Sequence, residues 1–233
     1  MTEAEWLTCT DPSLMLGFVK GNTSDRKLRL FACASCYFIC HHLLDDNGRR
    51  ALEVAEQYAD GLTGEDERSL AVQQATRGVT VEDMGDRWEA RYHAWTAAGA
   101  CSQIDAFDAA IWSHKQTVSS AVTEADPFLP DDGPLSPVAA FTKQATRSQL
   151  CNLLRDIFGN PLRRYELNSH WLTLKVTDLA TAVYDARAFE RMRLLADTLI
   201  DAGCDNKDVL EHCRSPGIHA RGCWVVDLLL GKK

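Results

Sequence analysis

The sequence predicts an all-α protein, a compact multi-helix domain of about ten helices. Apolar residues recur at helical spacing in nearly every segment of the 233-residue chain. These segments begin at capping residues and end at glycine, as helices do. No stretch alternates apolar and polar residues for long enough to predict a strand in a sheet. These three observations favour helices packed against helices.

The N-terminal part of the chain begins with short helices. TEAEWL predicts one helical turn. Asp11 followed by Pro12 is typical of a helix start, and this second helix should stop at Gly21. Ser24 caps a strongly apolar helix that includes residues 28–44. Arg29 and a pair of histidines interrupt this helix, which favours a buried core helix over a membrane span.

The following segments continue the helical pattern. RRALEVAEQYADG predicts an amphipathic helix that ends at Gly61. Thr63 begins another, whose first turn carries acidic residues that oppose the helix dipole. Two longer helices are predicted over residues 81–103 and 105–122. Small residues are frequent in both, so we expect these two helices to approach their neighbours closely.

The composition changes at residues 125–137. Four of the seven prolines lie within TEADPFLPDDGPLSPV. Proline lacks the backbone N–H and restricts the residue before it, so this segment cannot be a regular helix. We predict an irregular excursion near residue 130 within one domain, 1–233. The alternative is a linker at 125–137 between subdivisions 1–124 and 138–233.

The C-terminal part also predicts helices. VAAFTKQATRSQLCNLLRDIF should end at Gly159, and the irregular connector LRRYELNSHWLT follows. LKVTDLATAVYDA and AFERMRLLADTLIDAG predict two helices, the second with Gly203 just after its end. DNKDVLEHC predicts a short helix that is capped by Asp205. SPGIHARG predicts a loop, and CWVVDLLLG forms the last element of the chain. VVDLLL also fits a strand, but such a strand would have no sheet to join.

The net charge of −8 argues against free nucleic acid and anionic membranes as partners, since binding to a phosphate backbone needs clustered basic residues. The N-terminal residues MTEAEWLTCTDPS show no basic or apolar region of a secretory signal. The nine cysteines are therefore expected to be reduced thiols in the cytoplasm.

The C-terminal segment concentrates metal-ligand types within a short stretch. It contains Cys204, His212, Cys213, His219 and Cys223. Zinc is bound by four nitrogen or sulfur ligands in a tetrahedron, and the candidate set is Cys204, Cys213, His219 and Cys223. Their spacing is not that of a standard zinc finger. Small buried cysteines at helix ends are the preferred interpretation, and zinc binding is the alternative.

A second group of cysteines lies in CASCYFICHH. Cys33, Cys36 and Cys40 share one stripe of the apolar helix. Such a group can sense oxidation or bind metal, but an apolar environment raises thiol pKa and lowers reactivity. Core packing is preferred over a redox sensor.

Histidine and acidic side chains are also scattered over the predicted helices. A helical bundle can gather such residues into a metal centre. The three-histidine version would need His42, His93 and His114 to face one another. The full set of candidates is His41, His42, Glu89, His93, Asp105, Asp108 and His114.

Three aromatic residues fall on neighbouring positions of one predicted helix: Trp88, Tyr92 and Trp95. If exposed, these side chains would form an interface anchor, and if buried they would be part of the core. Core packing is the preferred interpretation.

Three motifs are distinctive: RKLRLFACA near the start of the chain, LLRDIFGNP in the middle and HARGCWVVDLLLGK at the end. With them the sequence resembles a paralogous family of uncharacterised helical proteins from planctomycete-type bacteria. The resemblance implies a bacterial cytoplasmic protein. It supplies no catalytic residues.

Sequence motifs of common enzyme classes are absent. The chain contains no G-x-S-x-G, no G-x-x-x-x-G-K-[ST] and no G-x-G-x-x-G. The function we predict is therefore that of a non-enzymatic accessory or adaptor protein that contacts a protein partner, with no membrane or nucleic-acid partner. The alternatives are a zinc-binding helical protein, with structural or catalytic metal, and a thiol redox sensor. No organic cofactor is expected, and zinc is the candidate metal.

Overall fold

The computed structural model describes residues 1–43, 46–76, 88–101, 103, 105–129 and 134–233. Every regular element in these residues is a helix, which confirms the all-α fold class. The α-helices are α1 Glu3–Thr8, α2 Pro12–Val19, α3 Asp25–Tyr37, α4 Asp46–Ala59, α5 Glu65–Thr76, α6 Trp88–Ala100, α7 Ala106–Ala125, α8 Pro137–Phe158, α9 Leu174–Asp185, α10 Met192–Asp201, α11 Lys207–Arg214 and α12 Trp224–Leu230. Short 3-10 helices cover Cys40–His42, Ser169–Trp171 and Phe189–Arg191.

The chain divides into two compact units. One, called here the C-terminal unit, contains residues 1–7 and 152–233. The other, called the central unit, contains residues 8–151. The division falls inside α8, whereas the alternative expected from the sequence places a linker at 125–137. Within that Pro-rich segment, residues 126–129 and 134–136 are irregular, and 130–133 lie outside the described residues.

The central unit is held by close helix packing with a few polar links. α7 packs against both α3 and α6. The Thr117 hydroxyl of α7 donates to the carbonyl of Ser35, 3.2 Å away, and the Ser120 hydroxyl donates to the carbonyl of Ala90 at 2.8 Å. Buried alanines on α6 and α7 allow this approach, as their small-residue content predicted.

The core of the C-terminal unit forms between α9, α10, α11 and α12. Its apolar side chains include Leu195, Val209 and Val225. Gly159 ends α8 at φ 63° and contacts two tryptophans. Its carbonyl accepts from the Trp6 indole N–H at 2.9 Å, and a Cβ at this position would lie 3.1 Å from the Trp224 ring. This close approach is why the helix ends at glycine.

Three of the predicted helix starts are correct at the level of single residues. The side chains of Asp11, Ser24 and Asp105 each accept from a backbone N–H in the first turn of their helices. The prediction that Asp205 caps α11 is wrong, because Asn206 accepts from the Val209 N–H. An asparagine amide oxygen satisfies the same free backbone donors as a carboxylate.

Three further expectations concern element boundaries and type. VVDLLL lies in α12 and is helical. The apolar helix α3 is buried along most of its length, and it ends at Tyr37, earlier than predicted. The predicted helix 81–103 corresponds to α6, with 81–87 and 102 outside the described residues. Across the described ranges, no helix combines the length and apolarity needed to cross a membrane.

Candidate metal site

Four side chains of metal-ligand type converge in the C-terminal unit. They are Asp156, His212, His219 and Cys223, and one potential ligand atom from each lies within 4.8 Å of the others. Asp156 belongs to the last turn of α8, and His212 to α11. His219 lies in the loop after α11, and Cys223 immediately precedes α12.

The local sequence explains how these residues reach the same place. In α11 the apolar residues Val209 and Cys213 face the core. His212 precedes Cys213 and is turned about 100° away from it, toward the end of α8. The loop is fixed by Asp156, whose Oδ2 accepts from the Ala220 backbone N–H at 2.9 Å. The loop in turn carries His219 toward the same carboxylate.

Asp156 lies at the centre of the group. Its Oδ1 is 2.6 Å from His219 Nδ1 and 3.1 Å from His212 Nε2. The same His212 nitrogen is 3.1 Å from Cys223 Sγ. Because an ionised carboxylate can only accept, His219 donates through Nδ1. The two imidazole rings meet nearly edge to face, with centroids 5.0 Å apart.

The group is largely shielded from water. Asp156 is 3% exposed and Cys223 0%. Burial raises the pKa of Asp156, but the hydrogen bonds from His212 and His219 outweigh burial, so this pKa lies below its ordinary value. Burial, with the nearby Asp156 charge, raises the pKa of the Cys223 thiol well above its ordinary value. Without a bound cation, the carboxylate is therefore charged and the thiol is neutral.

One ring nitrogen in the group lacks a partner. His219 Nε2 is buried and makes no hydrogen bond to any part of the chain that the structure describes. Nearly all buried polar atoms in folded proteins are paired, and an unpaired one costs about 1–3 kcal/mol. Because Nδ1 carries the proton donated to Asp156, His219 Nε2 holds the lone pair of the ring.

The donor set fits a zinc ion. Two imidazole nitrogens, one thiolate and one carboxylate oxygen are the ligand types that Zn²⁺ takes in tetrahedral sites. Ligand atoms around such an ion lie roughly 3.4–3.6 Å apart, given Zn–N, Zn–O and Zn–S distances of about 2.0–2.3 Å. The contacts within the group, 2.6–3.1 Å long, are those of direct hydrogen bonds. Side-chain shifts of less than about 1 Å would exchange these hydrogen bonds for metal bonds.

The geometry does not match a catalytic Cys–His–Asp triad. In a triad, one imidazole nitrogen contacts the nucleophile and the other contacts the acid. Here His212 Nε2 faces both Cys223 and Asp156. A nucleophilic cysteine also needs exposure and a lowered pKa, and Cys223 is buried with a raised one.

The structure brings together two of the four sequence-predicted ligands, His219 and Cys223. Cys204 and Cys213 are not among the four converging side chains, although they share the buried hydrophobic cluster of the C-terminal unit with Cys223. Burial raises the pKa of both thiols, that of Cys213 to about 12. Their place in the group is taken by His212 and Asp156.

Asp156 was missed because it lies 63 residues before His219. LLRDIFGNP predicts a helix end and carries part of the family resemblance, and neither of these indicates a ligand. A charged residue at an inward position one turn before Gly159 was the signal that could have pointed to it. His212 belongs to the C-terminal segment rich in ligand-type residues, but it is not one of the four ligands predicted from the sequence.

The other sequence candidates lie in the central unit. Cys33 and Cys36 are buried, and Cys40 is partly exposed. Cys36 Sγ lies 3.2 Å from Cys101 Sγ, a contact that the sequence did not indicate. Burial raises the pKa of Cys101 well above its ordinary value.

The three-histidine arrangement is not formed. His93 Nδ1 lies 2.6 Å from Gln116 Oε1. His114 contacts Ser13 and the carbonyl of Ala110 instead. His41 and His42 gather with a different residue, Glu124. Among the described residues, Glu89, Asp105 and Asp108 join neither group of potential ligands.

No family model, curated protein or solved structure matches the chain. The resemblance to the planctomycete-type family therefore stays a prediction.

Proposed function

We propose that this chain is a zinc-binding helical protein. In this proposal one Zn²⁺ is held by Asp156, His212, His219 and Cys223. The observation that carries it is the convergence of these four ligand types, within 4.8 Å of one another, in a buried part of the C-terminal unit.

The chemistry of the ligands favours zinc over other ions. Calcium and magnesium take oxygen ligands, and this group has one carboxylate. Iron–sulfur clusters are typically held by several cysteine thiolates, whereas the group of four described side chains includes one cysteine, Cys223. Mixed imidazole, thiolate and carboxylate ligands suit borderline-soft Zn²⁺ in a tetrahedron.

A structural role is supported better than a catalytic one. Catalytic zinc keeps one position for water, whereas four protein ligands close the shell. The ligands also come from four separate places: the end of α8, α11, the loop and the start of α12. A metal joining them would stabilise the C-terminal unit, because the unfolded chain does not present the four ligands together.

Zinc binding by matched cysteine variants tests the proposal. The variants are Cys223→Ser and, as a control, Cys204→Ser, which changes a buried thiol of the same unit outside the group. Metal-depleted protein is titrated with one equivalent of Co²⁺ as a spectroscopic substitute. We expect a thiolate-to-cobalt charge-transfer band in the wild type and in Cys204→Ser, and none in Cys223→Ser. Absence of the band from the wild type, or its loss in Cys204→Ser, would contradict the proposal.

An adaptor function is a second candidate, and exposed aromatics support it. Trp88 and Tyr92 on α6 and Trp112 on α7 are exposed. For Trp88 and Tyr92, the sequence-based preference for core packing is therefore wrong. Tryptophan and tyrosine are the residue types that most often carry binding energy at protein interfaces.

The adaptor proposal is tested by cross-linking in the native host. The double variant Trp88→Ser, Tyr92→Ser is compared with Leu174→Ser, which removes an exposed apolar side chain elsewhere. A partner protein cross-linked to the wild type and to Leu174→Ser should be lost from the double variant. Recovery of the same cross-linked proteins with all three would contradict an interface at Trp88 and Tyr92.

A further inference from the structure

The central unit contains a second group of ligand-type side chains, separate from the zinc group. His41 and His42 lie at the end of the 3-10 helix Cys40–His42, and Glu124 lies in the last turn of α7. His42 Nε2 is 3.0 Å from Glu124 Oε2, and His41 Nε2 is 3.3 Å from the same oxygen. Two imidazole nitrogens therefore approach one carboxylate oxygen.

These separations are those of ligands around one ion. Two ligand atoms each about 2.1 Å from a metal are roughly 3.0 Å apart at a 90° angle and 3.4 Å apart at a tetrahedral angle. The distances of 3.0 and 3.3 Å fall within this interval. Both nitrogens can therefore share one ion with the Glu124 oxygen after little movement, and the ligand atoms of all three side chains lie within 4.8 Å of one another.

The charges in the group also favour a cation. The two imidazole rings have centroids 4.1 Å apart, so two protonated rings would repel each other. A divalent ion interacts favourably with both neutral imidazoles and with the carboxylate at the same time.

Exposure distinguishes this group from the zinc group. The His42 side chain is 3% exposed, but those of Glu124 and His41 are 34% and 55% exposed. Three protein ligands leave at least one position of a metal ion to water or to a small exogenous ligand. An ion bound here would exchange with solvent more readily than an ion enclosed by Asp156 and Cys223.

We propose that His41, His42 and Glu124 form an open, exchangeable site for an imidazole-preferring divalent metal such as Co²⁺, Ni²⁺, Cu²⁺ or Zn²⁺. A small anion or water occupies the remaining coordination position. Imidazole and carboxylate ligands with an open position are typical of metal sites that bind exogenous ligands. This proposal does not depend on the zinc site, because the two groups share no residue.

The test is a Co²⁺ titration of the metal-depleted full chain, followed by absorption spectroscopy. We expect a Co²⁺ ion whose spectrum lacks thiolate charge transfer and changes on addition of azide, which enters the open position. His41→Ala and Glu124→Gln should weaken binding of this ion at least about tenfold, since even residues that only support a ligand cost that much. Thermal melting checks that both variants are folded.

The matched control is His170→Ala, because His170 is also an exposed histidine on a 3-10 helix. This variant should bind as the wild type does. If His41→Ala and Glu124→Gln bind this Co²⁺ as tightly as His170→Ala, or if azide leaves the spectrum unchanged, the proposal is overturned. Failure of the buried zinc site would be seen separately, as absence of the charge-transfer band that requires Cys223.

Discussion

His212 presents a single ring nitrogen, Nε2, to both the Cys223 sulfur and the Asp156 carboxylate, 3.1 Å from each. One nitrogen carries at most one proton, so it cannot donate fully to both acceptors. A metal ion in place of that proton would contact all three groups at once. This relationship is the reason for proposing a metal ion here rather than a hydrogen-bond relay.

The first prediction concerns Asp156→Asn in metal-free protein. The substitution removes a buried charge that accepts from two histidines and from the Ala220 N–H. Loss of one member of such a buried network typically costs several kcal/mol, so we expect the free energy of unfolding to fall by about 3 kcal/mol. Urea unfolding of the wild type and of Asp156→Asn, with excess chelator, measures this difference in the free energy of unfolding. An effect below about 0.5 kcal/mol, the size expected at an exposed site, would contradict a buried network.

The same carboxylate predicts a pH dependence. The pKa of Asp156 is lower in the folded chain than its ordinary value of 3.8. A lowered folded-state pKa gives stability that is present above the unfolded-state pKa and is lost as the pH falls through the folded one. Stability of the metal-free wild type should therefore decrease below about pH 4 more steeply than that of Asp156→Asn. Parallel curves for the two proteins would show that Asp156 is not stabilised as an anion.

The second prediction concerns proton release on zinc binding. Burial raises the pKa of the Cys223 thiol, so this thiol is protonated before the metal binds. Coordination requires the thiolate, so zinc affinity should increase with pH, and binding should release about one proton from Cys223. Calorimetry in two buffers of different ionisation enthalpy measures the release. Equal proton release by the wild type and Cys223→Ser would mean that the thiol does not bind.

The third prediction concerns the end of α8. A Cβ at Gly159 would lie 3.1–3.3 Å from three atoms of the Trp224 ring, and φ is 63°. Gly159→Ala should therefore destabilise the C-terminal unit by about 2–3 kcal/mol, from backbone strain of about 1–2 kcal/mol and displacement of the indole. Gly203→Ala is the matched control, with φ 84° but open space around the added methyl group. Thermal or urea unfolding compares the two variants. If Gly159→Ala and Gly203→Ala lose the same stability, the Trp224 contact does not contribute to the effect.

The fourth prediction concerns the thiols. Of the nine free cysteines only Cys9 and Cys40 are partly exposed. A native thiol titration should find these two reacting rapidly and the buried ones reacting only as the protein opens, because a buried thiol is neutral and inaccessible. Cys9→Ser and Cys40→Ser should each remove one rapid thiol. Rapid labelling of Cys33 or Cys36 would instead favour the redox-sensor alternative.

Local rules allowed most of the fold to be predicted from the sequence. Helix starts at Asp11, Ser24 and Asp105 follow from side chains that satisfy nearby backbone donors, and these residues lie within a few positions of the groups that they contact. The choice of Asp205 over Asn206 failed because both residue types are good caps and the helix register decides between them.

The candidate site could be predicted only in part, since its ligands are not all local in sequence. His219 and Cys223 belong to one short segment, which made them visible as a cluster. Asp156 lies on α8, 63 residues before His219, and only the packing of the C-terminal unit brings it close to the other three side chains. His212 joins the group and Cys213 does not because the two residues are adjacent on α11, so that their side chains point about 100° apart. The Cys213 thiol packs in the hydrophobic cluster.

The ligand set itself is tested most directly by zinc X-ray absorption spectroscopy of the chain loaded with one equivalent of Zn²⁺. The site proposed here predicts one sulfur at about 2.3 Å and three nitrogen or oxygen ligands at about 2.0–2.1 Å. The set predicted from the sequence, Cys204, Cys213, His219 and Cys223, would give three sulfurs. A spectrum with three sulfurs, with no sulfur, or with no bound zinc would contradict the site at Asp156, His212, His219 and Cys223.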